Sequence, residues 1–294
     1  MLKLNKDSNP LDQISDLIKV LDSCLGQDYM IAGGFVRDWY QDEPFNDIDI
    51  YLFDESGHDL RKKLTSTGRF AINKTNGNFV DTIFQDKTYL PFTKGRPKYN
   101  VQFICWYAGI ESALNSFDFE HCKFFIPMDL SELKLINWSV GIIPRTPYAY
   151  SNKAIKALKK KELQPSTKTL STLQSVASNE NGLVILERYI KRTRKFMARG
   201  FSVPEGLKAL LLSSTELFLK TKVLDKKFSR RQSAFLEDAD YDDNGYSKYS
   251  ELYIARNLIK ELILLYDEQE RTIFLLSPAP IIRDVMKELI EKVS

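Results

Sequence analysis

Apolar and polar positions follow two rhythms along this chain, and the change from one to the other divides it. Leu11 to Leu25 places Ile14, Leu17, Ile18 and Leu21 at helical spacing, which predicts an amphipathic helix. Tyr29 to Ala32 is a short apolar run stopped by Gly33-Gly34, so a strand should end there in a glycine turn. Phe35 to Tyr40 can then open a second helix. Asp47 to Phe53 alternates with a period of two, which predicts a strand with Asp47 and Asp49 on one face and Ile48 and Ile50 on the other. His58 to Ser66 reads as a helix, Phe79 to Gln85 and Tyr99 to Trp106 as strands, and Gly77 and Pro91 to Pro97 as turns. Together these predict a mixed sheet with helices.

From about Asp129 the rhythm turns helical. Ser131 to Trp138, Asn152 to Lys161, Thr167 to Ala177, Leu183 to Ala198, Pro204 to Thr221, Ser250 to Tyr266 and Pro280 to Val293 all carry 3.6-residue spacing. Gly200 and Pro204 punctuate one junction, and the Asp240 to Gly245 stretch is the most polar interruption. There is no internal repeat or low-complexity tract. The expected fold class is α+β: a mixed-sheet head over residues 1–150, followed by an all-helical basic region over residues 151–294.

Composition narrows the chemistry. The chain is 43% hydrophobic and 12% aromatic over 294 residues, ample for buried cores in two domains. No apolar run approaches the roughly 20 residues of a membrane span, and Met1 to Pro10 is too polar for a secretion signal. The expectation is a cytoplasmic protein with no membrane partner. Cys24, Cys105 and Cys122 are odd in number and widely spaced, which argues for reduced, mostly buried thiols rather than disulfides or a cysteine-rich zinc site. His58 and His121 are the only histidines, so any metal must be held mainly by carboxylate oxygens.

The net charge of +3 conceals a segregation. Ser151 to Phe235 holds 19 Lys/Arg against 6 Asp/Glu, a local excess of 13 positive charges, so the remainder is acidic by about 10. Such an excess forms either solvated helix faces or a surface for a phosphate backbone. Leu186 to Phe201 is the densest part, with Lys191, Arg192, Arg194, Lys195 and Arg199 available to phosphates and Tyr189 and Phe196 interleaved. Leu183, Leu186, Ile190 and Met197 form the stripe that would dock it on the body.

The head offers the two things that phosphoryl or nucleotidyl transfer requires: carboxylates for a divalent ion and donors for phosphates. Asp47 and Asp49, two residues apart on a strand, would sit about 7 Å apart on one face. Gly33 and Gly34 lack Cβ atoms, so their N–H groups can approach a phosphate closely at a strand-to-helix junction. Arg37, one turn on, would touch the triphosphate or pair with a carboxylate, and Asp38 would either join it there or serve an ion pair that fixes the helix.

The run Ala32-Gly33-Gly34-Phe35-Val36-Arg37-Asp38, then eight residues, then Asp47-Ile48-Asp49, resembles the G-G-x-V-R-D … D-x-D signature of the poly(A) polymerase head and bacterial-type CCA-adding families of the nucleotidyltransferase superfamily. The resemblance covers roughly residues 25 to 55. It implies a nucleotidyltransferase-type head, a nucleoside triphosphate donor such as ATP, and Mg²⁺ or Mn²⁺ on Asp47 and Asp49 as catalytic carboxylates. Gly33, Gly34, Arg37 and Asp38 would serve the nucleotide. Phe117-Asp118-Phe119-Glu120-His121-Cys122 is similar to the family's R-R-D-F-T-I-N segment, with Asp118 at the aspartate that faces the ribose, but Ser116 and Phe117 replace the two arginines. Glu187, Lys191 and Arg194 are similar to the base-reading E-D-x-x-R motif, with Arg188 in place of the second acid and Lys191 in place of the arginine. Gln102 stands where many superfamily members carry a third carboxylate.

A second motif lies elsewhere. Asp240, Asp242, Asn244, Tyr246 and Glu251 fit the spacing of an EF-hand Ca²⁺ loop, although Ser247 occupies its aliphatic position and no second loop pairs with it. An acidic stretch capping the next helix explains the same residues. The functional expectation is transfer of a nucleoside monophosphate to an acceptor hydroxyl, RNA being preferred, with release of pyrophosphate. A protein hydroxyl is the alternative acceptor, and an idle head that binds nucleotide or RNA, with a Ca²⁺ loop, is the alternative class. Nothing in the sequence fixes the oligomeric state.

Overall fold

The computed structural model describes residues 1–25, 29–53, 55–85, 97–128, 142–223 and 251–266. The chain divides into two compact units, Met1–Lys160 and Lys161–Ser294. The predicted elements Ser131 to Trp138 and Pro280 to Val293, and most of the predicted turn, residues 91–96, lie outside the described residues.

The first unit is built on a mixed sheet. Its described strands are β1 (Leu2–Lys3), β2 (Tyr29–Ala32), β3 (Asp47–Leu52), β4 (Phe70–Asn76), β5 (Phe79–Gln85), β6 (Pro97–Ile104), β7 (Phe124–Pro127) and β8 (Tyr148–Ala149), in the order β1-β8-β7-β2-β3-β6-β5-β4. β3 and β6 are parallel, and the remaining neighbours are antiparallel. The helices are α1 (Ser15–Cys24), α2 (Gly34–Tyr40), α3 (Gly57–Ser66), α4 (Ile110–Asn115) and α5 (Asn152–Lys160).

Alternation on β3 is what gives the sheet two different faces. Ile48 and Ile50 are completely buried, and the register puts Val101, Phe103, Val80, Thr82 and Phe84 on the same side as them. Helix α3 covers the β4–β5 part of this back face with Leu60 and Leu64, both fully buried. Each such side chain contributes about 1.5–3 kcal/mol by leaving water. The front face carries Asp47 and Asp49 at the start of β3. Farther along β3, Tyr51 is covered by Ile110, Ala113 and Leu114 of α4 together with Met30 and Phe125. One end of the front face is thus core, and the other is left to the two carboxylates, both half-buried.

The segment Leu11 to Leu25 forms a 3-10 turn, Pro10–Ile14, before α1, because Asn9 caps it by accepting from the Leu11 amide. The strand expected to reach Trp106 ends at Ile104, and Trp106 is exposed. β4, β7, β8 and α4 are elements the sequence pattern did not single out. β7 is buried along its whole length and α4 is six residues long, so neither has a readable period.

The described part of the second unit is helical: α6 (Thr167–Gln174), a 3-10 turn at Val176–Ser178, α7 (Gly182–Met197), α8 (Glu205–Phe218) and the helix Glu251–Ile263. The expected helix Thr167 to Ala177 is therefore broken near Ser175. On α7 the buried stripe is Gly182, Leu186, Tyr189, Ile190, Thr193 and Phe196. Leu183 and Met197, expected in that stripe, are only half-buried. Gly182 is required there: a Cβ would stand 2.5 Å from the Val176 carbonyl oxygen and 2.8 Å from the Phe218 ring. The protein is of the α+β class, with a mixed-sheet first unit and, among the described residues, a helical second unit.

Replacing Ile50 by Ala should destabilise the head by about 2–5 kcal/mol, because a fully buried side chain would leave a cavity behind β3. Urea unfolding of the variant against wild type measures this. A loss under about 1 kcal/mol would contradict the back face as the anchor of β3.

Candidate active site

Three segments meet at the open end of the front face. Ala32 pairs with Asp49 across the β2–β3 ladder, so the chain leaving β2 turns directly beside that carboxylate. Gly33 makes the turn with φ +85° and ψ −129°, a conformation that side-chain-bearing residues rarely adopt. A Cβ at Gly33 would stand 3.4 Å from Asp49 Oδ2, and one at Gly34 would stand 3.8 Å from Asp47 Oδ1. The two glycines therefore bring bare backbone against both carboxylates. Asp47 forms no side-chain hydrogen bond or ion pair among the described residues.

Two expectations for the turn change. Both glycine amides were assigned to phosphates, but the Gly33 N–H donates to the Phe124 carbonyl at 2.8 Å, so it is spent on joining β2 to β7. Of the two expectations for Arg37, the structure adopts the ion pair: Nη2 lies 2.5 Å and Nε 2.6 Å from Asp38 Oδ1, with both residues buried. Arg37 Nη1 also lies 3.9 Å from Cys122 Sγ. A buried pair with this geometry fixes α2 behind the turn, since breaking a buried ion pair is costly.

The segment Phe117 to Cys122, a partial motif match in the sequence, folds against the same turn. The Phe117 ring would lie 3.7 Å from a Gly33 Cβ, and Cys122 reaches Arg37. Asp118, between them, is buried at 6% exposure. Just beyond, Lys123 and Glu120 form a buried ion pair at 2.7 Å, and the Tyr150 ring lies 5.4 Å from the Lys123 ammonium.

Asp81 escaped the sequence reading. Asp49 pairs with Gln102 across β3–β6, and Gln102 pairs with Asp81 across β6–β5, so the three share one row of the front face. The alternation of Phe79 to Gln85 sets the face of Asp81, but only the strand order sets its row. Two strand spacings, about 9–10 Å, separate it from Asp49. Among the described residues no group of three or more His, Cys, Asp or Glu side chains is arranged to hold a metal ion. The donor set at the turn is two carboxylates, which suits an ion that keeps waters and substrate phosphate oxygens as its other ligands.

The remaining candidate residues belong to the second unit. Lys191 lies 4.0 Å from Glu187, an exposed helical pair, and Arg194 pairs with Glu261. Tyr189 and Phe196, expected to interleave with the cations of α7, are instead buried in its docking stripe and present no ring to a ligand. Arg188, Lys191, Arg192 and Lys195 are exposed. Asp240, Asp242, Asn244 and Tyr246 of the EF-hand-like stretch lie outside the described residues, as does the side chain of Glu251, whose backbone begins a helix. The three cysteines form no disulfide with one another and are half-buried, less buried than expected. Burial, with Glu55 nearby, pushes the Cys105 thiol up to about 11. No helix among the described residues is long and apolar enough to cross a membrane.

Comparison with known proteins adds a family and a fold. A family model described as Gad2, Gabija anti-defense 2 family protein, matches residues 7–161. No curated protein matches the chain. Among solved structures, "The complex structure of CCA-adding enzyme with ATP" aligns over 92% of this chain and 59% of its own, at 15% identity and a TM-score of 0.50. A "tRNA-processing enzyme (apo form I)" aligns over 89% of this chain and 65% of its own, at 13% identity and a TM-score of 0.47. This chain thus spans less than two thirds of either structure. At these identities the likeness is one of fold.

Arg37→Ala should lower stability by about 3–5 kcal/mol by removing one partner of a buried ion pair. Gly33→Ala should lower it by about 1–3 kcal/mol through backbone strain. Chemical denaturation of both variants provides the check, and two wild-type-like curves would remove the structural role assigned to the turn.

Proposed function

The chain belongs to the Gabija anti-defense 2 family, and we propose that it is a metal-dependent nucleotidyltransferase that moves a nucleoside monophosphate from a triphosphate to an acceptor hydroxyl. The observation that carries this reading is the contact of the Gly33-Gly34 turn with the Asp47 and Asp49 carboxylates. The likeness of fold to a CCA-adding enzyme solved with ATP supports it.

Asp47 and Asp49 would hold Mg²⁺ or Mn²⁺, and the space left by the missing glycine Cβ atoms suits the ion and a triphosphate oxygen. Bound there, the ion would neutralise charge on the triphosphate and favour ionisation of the acceptor hydroxyl. The acceptor oxygen bonds to the α-phosphorus as the bond to the β-phosphate oxygen breaks, so pyrophosphate leaves and the hydroxyl proton is released. The Arg37–Asp38 pair acts as a positioning element for the turn, and Asp118 is the candidate for ribose contact. Such a reaction fits a cytoplasmic setting, where triphosphates are available.

For the acceptor, RNA is the preferred class. Support comes from the positive excess between Ser151 and Phe235 and from the exposed cations of α7, with Lys191 and Arg194 as candidate nucleotide contacts. On this reading the head, residues 1–150, handles the donor, and the basic region, residues 151–294, handles the acceptor. A second reading takes a protein hydroxyl as the acceptor. Ca²⁺ at Asp240, Asp242, Asn244, Tyr246 and Glu251 would be a separate, regulatory feature.

Incubation with each labelled nucleoside triphosphate, Mg²⁺, total RNA and total protein tests the proposal. Label should pass to RNA, and Asp47→Asn and Asp49→Asn should each reduce it at least about a hundred-fold, the scale of losing one charge-stabilising group. Label on protein would favour the second acceptor. Absence of label with every triphosphate, alongside retained RNA binding, would leave an idle binding head.

A further inference from the structure

Behind the sheet, residues of α1, of α3 and of the segment leading into β4 line an open pocket of about 430 Å³. Arg69 is the more buried of the two cations in its lining. This residue is 8% exposed, its Nε donates to the Gln85 carbonyl at 2.9 Å, and its guanidinium lies 4.6 Å from the centroid of the Phe84 ring. It forms no ion pair among the described residues. A guanidinium has five N–H donors, and among the described residues that of Arg69 donates one of them. The buried arginine in the candidate active site, Arg37, has its carboxylate beside it, whereas Arg69 has a cavity.

A buried, unpaired cation is costly unless an anion joins it, and stacking on Phe84 aims the plane of the fork without neutralising it. The second cation at the cavity, Lys63, is paired with Glu55 at 2.5 Å. Net positive charge therefore faces the cavity from Arg69. Burial pushes the Cys24 thiol up, so at neutral pH it adds no negative charge.

The polar remainder of the wall has a definite character. Ser23, Ser66 and Thr67 donate their hydroxyl hydrogens to helix carbonyls of Val20, Lys63 and Leu64, at 2.8, 2.7 and 2.7 Å. What they have left for a ligand is oxygen lone pairs, although Thr67 Oγ1 already accepts from the Arg69 amide at 3.1 Å. The wall thus joins one anion-seeking fork to several acceptors, with Val20 as an apolar patch. Inorganic phosphate satisfies the fork alone. A nucleoside monophosphate satisfies both, with its phosphate on Arg69 and its ribose or amino donors on the hydroxyl oxygens, and the cavity volume is of the size that small-molecule sites have.

We propose that this cavity is a second ligand site, separate from the carboxylate pair and selective for a small phosphorylated molecule of the nucleoside monophosphate class. The site does not depend on the head being catalytically active. Occupancy would tie α1, α3 and β4 together behind the sheet.

The test is calorimetric titration of the full chain with AMP in EDTA, which suppresses metal-dependent binding at the carboxylates, followed by the same titration with inorganic phosphate. AMP should bind the wild type and the Asp47→Asn/Asp49→Asn protein equally. It should bind Arg69→Gln about ten-fold or more weakly, the loss expected for removing charged hydrogen bonds. Because Arg69→Gln removes a buried side chain, Ser66→Tyr serves as the second variant. Ser66 is exposed at the end of α3, so the bulky ring would block the cavity without disturbing the core, and AMP binding should again be lost. Retained affinity in both cavity variants, loss of binding in the carboxylate variant, or no binding to wild type at millimolar AMP would each overturn the proposal. Equal affinity for phosphate and AMP would overturn its nucleoside selectivity.

Discussion

The register of β3 between β2 and β6 is the constraint on which the head depends. With Ala32 opposite Asp49, the chain leaves β2 beside a carboxylate, and the glycine turn can touch both aspartates. A slip of one residue would carry Asp47 and Asp49 into the back-face core and bring Ile48 and Ile50 to the open front. The burial of Ile48 and Ile50, together with Val101 and Phe103 of the neighbouring strand, forbids that slip. The apolar side of the strand therefore enforces the geometry of its polar side.

Around this register the head distributes its buried charge. Arg37 is neutralised by Asp38 behind the turn, and Lys123 by Glu120 at the segment that folds over it. The Gly33 amide, bonded to Phe124, ties the turn to β7. These groups spend their hydrogen bonds inside the protein, so they hold the site rather than bind at it. Asp47 differs, being half-buried and unengaged among the described residues. Arg69 differs too, with a stacked guanidinium, one hydrogen bond and a cavity in front of it. Satisfied and unsatisfied polar groups thus separate the framework of the head from the places where it can receive ligands.

The second unit follows a division of labour along its helices. In α7 the aromatic residues and Leu186 are turned inward, and the cations remain outside. The helix is therefore docked by its apolar stripe and contributes charge rather than stacking platforms.

The alternation of Asp47 to Phe53, the glycine pair after Tyr29 to Ala32 and the helical spacing beyond Asn152 were legible in the sequence, because each depends only on the period of neighbouring residues. The sequence alone determined the α+β class, the carboxylate pair and the turn beside it. Elements too short or too evenly apolar to carry a period, such as β7 and α4, were not legible. Neither were relations between distant segments: Asp81 in the row of Asp49, Phe117 against Gly33, Phe124 accepting the Gly33 amide, and Arg69 facing a cavity between α1 and α3. Tertiary structure decided these, since strand order and packing choose which distant residues meet, and no local pattern of side chains encodes that choice.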